Sequence, residues 1–268
     1  MAQDPVEPKN GQVWLKVPEY VLRFHANGQT RSIVPGTTNL MSPLIGFGEY
    51  ISFVTLLALG IADNSIDAVI SNCVINLSPN KEAVFAEIFR VLKPGGELHF
   101  SDVFASRRVP QHLKDDPELY GECLSGALYA EDFRRIMQRL GCLDHRIVKK
   151  SKIQMLNAEV EQRVGNIDFF SVTVRAFKLE SLEDICENYG QTATYLGTIP
   201  DHPHSFQLDD HHIFETGKPM LVCGNTAAMV GETRYAKHFR LIGDRSTHFG
   251  PFDCGDTSAD TDTIAACC

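Results

Sequence analysis

The sequence predicts an α/β fold with a smaller α+β subdomain toward its C-terminal end, and three observations carry that expectation. A strand–helix–strand pattern with clear punctuation occupies residues 65–103. A second amphipathic helix and an alternating strand follow at 133–140 and 169–177. After Lys178 the helical periodicity weakens and Tyr, Gly, Thr and His become frequent. The chain therefore divides into an atypical N-terminal segment (1–46), a core (47–178), a C-terminal subdomain (179–249) and a tail (250–268) whose acidic, small-residued composition reads as disordered.

Each element has a physical reason. Residues 67–71 are a short apolar, β-branched run of the kind that forms a buried parallel strand. Ser78-Pro79 offers an N-cap and a proline at the first helical position. Val84, Phe85, Ile88, Val91 and Leu92 then fall on one helical stripe. Lys93-Pro94-Gly95-Gly96 stops the helix, and a second strand runs from Glu97 to Val103. Strand, crossover helix and strand in this order predict a parallel unit with its ligand crevice at the carboxyl ends of the strands. Phe133, Ile136, Met137 and Leu140 mark the next helix, closed by Gly141. A further helix is expected over 225–239, and strand-like pieces at 12–17 and 20–24.

Composition excludes several classes. The chain of 268 residues is 43% hydrophobic and 22% charged, which fits a globular protein. A formal net charge of -9 opposes a nucleic-acid partner. The most apolar stretch, 44–59, carries Glu49 and is shorter than the roughly 20 residues that cross a bilayer, so it reads as core rather than membrane. No basic-then-apolar leader follows Met1, which predicts a reducing, cytoplasmic setting and eight cysteine thiols.

Several residues could carry chemistry. Cys73 follows the first core strand, at the edge where a parallel sheet opens; a small buried hydrophobe is the plainer reading. Cys123 lies in the segment after the second strand, which emerges at the same edge, and two thiols there could bind a soft ion. Asp102 could be a polar contact or base, or could cap a turn. His202, His204, His211 and His212 with Asp209 and Asp210 lack convincing ligand spacing and read as a solvated loop, with His211 and His212 pointing to opposite sides. Cys267-Cys268 could capture a thiophilic ion.

The strings SNCVINL at 71–77, VLKPGGEL at 91–98 and FSDV at 100–103 resemble the arsenite methyltransferases that use S-adenosylmethionine. LYGECLSGALY at 119–129 resembles that family's second cysteine motif, at the family's interval of 50 residues from Cys73, and YGQTATYLG at 189–197 resembles its C-terminal region. The resemblance implies a truncated Rossmann-like methyltransferase sheet, with a partial methyltransferase core over 47–178. It implies S-adenosylmethionine as cofactor, and arsenite or its glutathione adducts, with a thiol reductant, as partners. It also implies Cys73 and Cys123 as catalytic arsenic ligands, and Asn72 as a lining of the cofactor pocket. The family's glycine-rich cofactor loop is not recognisable in residues 1–60, where GEYI at 48–51 is the nearest remnant of an adenine-side segment. This departure predicts weakened cofactor binding and leaves two alternatives to arsenite methylation: a catalytically inactive homologue that binds arsenite through thiols, and methylation of another acceptor such as an organic thiol.

Overall fold

The structure, a computed structural model, describes residues 15–16, 21–26, 29–33, 61–73, 75–78, 80–116, 119, 124–155 and 157–254. The 44–59 stretch, the GEYI remnant, Cys123 and Cys267-Cys268 lie outside the described residues.

Near the N-terminus β1 (Leu15–Lys16), β2 (Val21–Ala26) and β3 (Gln29–Ile33) form an antiparallel meander, close to the strand-like pieces expected there. The core begins with β4 (Ile66–Asn72), helix α1 (Lys81–Val91) and β5 (Leu92–Ala105), and β4 pairs parallel with β5 as the sequence predicts. Short α2 (Gln111–Lys114) and β6 (Leu128–Tyr129) lead to α3 (Ala130–Arg139), β7 (His145–Lys152), α4 (Ala158–Val164) and β8 (Phe169–Phe177). The sheet order is β4-β5-β8-β7, with β8 antiparallel to both neighbours and β6 beside the end of β5. A smaller antiparallel sheet, β12-β9-β13, is built from β9 (Gln191–Tyr195), β12 (Pro219–Val222) and β13 (Phe239–Ile242). The hairpin β10 (Ser205–Gln207) and β11 (Ile213–Glu215) accompanies it, and α5 (Gly224–Gly231) follows β12.

The expected stripe of α1 is buried throughout. Its start differs from the expectation: the cap is Asn80, whose Oδ1 accepts the Ala83 N–H at 3.1 Å, and not Ser78. Ser78 instead accepts the Asn80 N–H on its hydroxyl, so the serine sits two residues too early to cap the helix. The stop is shorter than the sequence implied, because β5 starts at Leu92 and includes the Pro-Gly-Gly segment as an irregularity in its pairing with β4. Gly95 has φ +76°, and a Cβ there would stand 2.8 Å from the Glu232 carbonyl oxygen, so only glycine fits without moving the C-terminal part. The helix expected over 225–239 is also divided: α5 ends at Gly231, and a 3₁₀ turn over Ala236–His238 delivers the chain to β13.

Strand alternation sends β5 side chains to two different layers. On one face Phe100 and Phe104 meet Phe85 of α1 and Phe133 of α3, with ring centroids 5.4–6.2 Å apart. On the other, Glu97 is fully buried and binds Arg175 of β8 (Nε–Oε1 2.8 Å), Arg234 (2.6 Å) and the Tyr235 hydroxyl (2.8 Å). Arg175 also donates to the carbonyls of Gln207 and Leu208. One carboxylate thus ties the large sheet to the C-terminal elements, and both share a continuous apolar core with Tyr195, Phe206, Phe214 and Phe239. Beyond it, residues 251–254 are placed by pairing of Pro251 with Glu187 and a bond from Phe252 N–H to the Cys186 carbonyl.

Burial pushes the Glu97 carboxyl up, but Arg175 and Arg234 overcome it and hold the group down at about 2. A depressed carboxylate stabilises the fold above its unfolded value near 4.3, and that contribution fades as pH falls through the folded value. Glu97→Gln should therefore lose about 3–5 kcal/mol at pH 7, where two buried guanidinium groups lose their partner. The loss should be smaller at pH 3; urea unfolding at the two pH values checks this, and an equal loss at both would contradict it.

Candidate functional site

The site is built where β4 ends. Asn72 closes the strand with an exposed side chain, and Cys73 then adopts φ +53°, a left-handed conformation uncommon for a residue with a Cβ. That turn takes the chain out of the sheet at once, and backbone of this kind persists only where the surroundings hold it. Here β5 does so. Cys73 N–H donates to the Ser101 carbonyl at 2.8 Å. Asn76 N–H donates to Asp102 Oδ2 at 3.1 Å, and Asn76 Nδ2 donates to the Val103 carbonyl at 2.7 Å. Asp102 Oδ1 accepts from Val103 N–H at 2.9 Å. Asp102 is thus a turn-holder, as one of its sequence readings had it, but the turn belongs to the neighbouring strand and not to its own.

The half-buried thiol of Cys73 lies 3.7 Å from Asn72 Oδ1. Burial raises its pKa, and the Asp102 charge raises it further. Burial also pushes Asp102 up to about 7, against the hydrogen bonds from Val103 and Asn76 and the charge of Lys81. Lys81, whose ammonium donates to the Ser78 carbonyl at 2.8 Å, is lowered to about 8 by burial, with Asp102 opposing the shift and Lys114 adding to it. The site thus places a thiol, a carboxyl and an amine where small changes in charge change protonation. Sequence reasoning missed Lys81, which carries no motif of its own.

Cys123 itself is not described, but the chain directly after it is. Gly126 packs so tightly on the turn over Ile75–Leu77 that a Cβ would stand 2.1 Å from the Asn76 carbonyl oxygen. Residues 124–127 therefore lie against the turn that follows Cys73. Leu124 and Ser125 N–H groups both donate to the Leu119 carbonyl, which closes the loop on itself.

The other candidates fare differently. Asp209 and His212 are buried, not solvated: Asp209 accepts from His211 N–H, His212 N–H and the His212 ring, and pairs with Arg146 at 3.1 Å. The loop is folded inward because Arg146 on β7 needs a counter-charge. His211 is exposed and His212 buried, so the two do point to opposite sides. Asp209, Asp210 and His211 bring ligand atoms within 4.8 Å of one another, yet these atoms already bond within the loop. Cys254 is disulfide-bonded, which corrects the expectation of eight thiols, while Cys73, Cys142, Cys186 and Cys223 are in no disulfide. Among the described residues no helix is long and apolar enough to cross a membrane.

The partly parallel sheet flanked by helices is an α/β fold, and residues 52–141 match the family described as a methyltransferase domain. Residues 188–264 match the arsenite methyltransferase C-terminal domain. The crystal structure of CrArsM, an arsenic(III) S-adenosylmethionine methyltransferase from Chlamydomonas reinhardtii, superposes with a TM-score of 0.71 at 53% identity, covering 78% of this chain and 68% of that one. The arsenite methyltransferase of Aquipseudomonas alcaligenes is 48% identical over 219 residues, 80% of this chain and 63% of that protein. The mouse arsenite methyltransferase is 42% identical over 182 residues, 67% of this chain and 47% of its own length. This chain belongs to the arsenite methyltransferase family. It spans about half to two thirds of the length of these curated relatives.

Two outcomes follow from this geometry. Gly126→Ala should force the loop off the Asn76 carbonyl and lower stability by about 1–3 kcal/mol, as overpacking does; an unchanged unfolding midpoint would show that the loop does not press on the turn. Asp102→Asn removes the negative charge beside Cys73, so the pH midpoint for alkylation of Cys73 by iodoacetamide should move down. A midpoint that stays or rises would mean that Asp102 does not oppose the thiolate.

Proposed function

We propose that this chain is an S-adenosylmethionine-dependent arsenite methyltransferase, with Cys73 and Cys123 as thiolate ligands of trivalent arsenic. The observation that carries this reading is the placement of Cys73. It is turned out at the carboxyl end of β4 by a left-handed backbone, and the loop that follows Cys123 packs on the turn just beyond it. Thiolates at this rim would suit a soft, thiophilic centre, because polarisable sulfur prefers soft acceptors. The substrate is arsenite or its glutathione adducts, with a thiol reductant as co-substrate, in a cytoplasmic setting.

One observation at this edge supports the cofactor reading. Asn72 presents an exposed amide beside Cys73, able to bond a polar group of S-adenosylmethionine. When bound, S-adenosylmethionine supplies an electrophilic methyl on its sulfonium. The protein's task is positioning: a nucleophile fixed about 3–3.5 Å from the carbon it attacks gains most of the available rate enhancement from proximity. Cys73 is anchored for that task by its own backbone bond to Ser101 and by the Asp102–Asn76 bond three residues on.

As each As–S bond forms an As–OH bond breaks, and the thiol proton leaves with that hydroxyl as water, so binding of neutral arsenous acid releases no net proton. Cys73 begins with a raised pKa, so the rate of arsenite capture, which needs the thiolate, should rise from pH 6 to 8. Asp102 and Lys81, tuned to about 7 and about 8, are the groups that can relay the thiol proton at the rim.

Purified protein incubated with arsenite, glutathione and methyl-labelled S-adenosylmethionine should yield methylated arsenic. Cys73→Ser and Cys123→Ser should each reduce the yield by at least about 100-fold, corresponding to the loss of several kcal/mol of ligand binding. Arsenite binding without product or cofactor binding would favour the inactive thiol-binding homologue. Product made from organic thiols in preference to arsenite would favour another acceptor.

A further inference from the structure

A second pair of cysteines lies far from the β4 rim. Cys223 is the residue before α5, fully buried, and its Sγ accepts the Thr226 N–H at 3.4 Å as the helix cap. The Thr226 hydroxyl lies 3.2 Å from the same sulfur, and Arg146 Nη2 lies 3.8 Å from it. Cys186, only 5% exposed, lies close enough to Cys223 that each thiol shifts the other's pKa. The backbones are pinned side by side, because Gly224 N–H donates to the Glu187 carbonyl at 2.9 Å. Neither thiol has a part in the reaction proposed above.

We propose that Cys186 and Cys223 form an oxidisable dithiol, a modification site for peroxide-class oxidants, with Cys223 as the attacking sulfur and Cys186 as the resolving one. Cys223 meets two conditions that make a thiolate: a guanidinium beside it at 3.8 Å and a helix N-terminal N–H directed at it at 3.4 Å. The neighbouring Cys186 and these two groups lower its pKa, while the neighbouring Cys223 and burial raise that of Cys186. The balance of buried charge points the same way. Arg146 already faces Asp144 at 2.8 Å and Asp209 at 3.1 Å, so a thiolate is a third anion around one cation. Oxidation to a neutral disulfide removes that anion and leaves Arg146 to the two carboxylates. The same guanidinium opposes a metal cation at this pair of sulfurs.

The chemistry balances with hydrogen peroxide as the oxidant. The Cys223 thiolate attacks one peroxide oxygen, the O–O bond breaks, and sulfenic acid and hydroxide form. The Cys186 sulfur then attacks the Cys223 sulfur, the S–O bond breaks, and the thiol proton leaves with the departing oxygen as water. A thiolate and a thiol are oxidised by two electrons, and one peroxide is reduced to one hydroxide and one water.

The test uses the full chain. After brief treatment with about one equivalent of hydrogen peroxide, non-reducing peptide mapping should give a crosslinked peptide joining Cys186 to Cys223. Cys142, fully buried and pushed up to about 12 by burial and Asp144, should remain a thiol. In Cys186→Ser the reaction should stop at sulfenic acid, trapped on Cys223 by dimedone. In Cys223→Ser, loss of the Cys186 thiol should slow on the order of tenfold or more. Recovery of Cys186 and Cys223 as separate thiols under conditions that oxidise Cys73 would overturn the proposal, as would dimedone labelling of Cys186 in place of Cys223.

Discussion

The structure at the rim depends on one buried carboxyl group. Asp102 sits in β5 but spends its oxygens on the N–H groups of Val103 and Asn76, and the second of these belongs to the turn after β4. Without an acceptor there, the Asn76 N–H would be buried without a partner, at a cost of about 1–3 kcal/mol. Together with the Cys73–Ser101 and Asn76–Val103 bonds, this acceptor fixes the angle at which the chain leaves the strand after Cys73. The left-handed backbone at Cys73, itself worth about 1–3 kcal/mol of strain, is tolerated because strand and turn are bonded on both sides of it.

The same carboxyl group sets the electrostatics. Its charge opposes the Cys73 thiolate, while its own ionisation is held back by burial until about neutral pH. A resting thiol is therefore favoured over a resting thiolate, which protects a half-exposed sulfur from oxidation. Coordination by a soft centre reverses this preference, because the metalloid takes the place of the proton. The C-terminal pair shows the opposite arrangement: Arg146 and a helix N–H lie beside the Cys223 sulfur. A carboxyl thus opposes the thiolate at one cysteine, and a guanidinium favours it at the other.

Much of this was legible in the sequence. The β4–α1–β5 unit could be read because a β-branched run, an amphipathic stripe and a Pro-Gly-Gly stop agree on one answer. The strand over 169–177 was legible from alternation alone. What failed were cases where a local signal had a close competitor. Ser78 and Asn80 are both capping residues two positions apart, and only packing of α1 selects Asn80. The 225–239 segment carries helical spacing, yet Gly231 and the turn after it let the chain fold back to pair with β9. The position of Asn72 and Cys73 at the end of β4 was legible from the strand pattern. Lys81 was invisible because its pKa comes from burial beside a residue 21 positions away, and the Arg146 cluster because Asp144, Asp209, Cys186 and Cys223 are brought together only by tertiary structure.

The central claim is that a sulfur at the end of β4 and one from the following loop share a single soft atom. Arsenic K-edge X-ray absorption of the full chain with one equivalent of arsenite tests it most directly. The account predicts an arsenic shell of at least two sulfurs in the wild type, with sulfur replaced by oxygen in Cys73→Ser. An all-oxygen shell in the wild type, or an unchanged sulfur shell in Cys73→Ser, would contradict it.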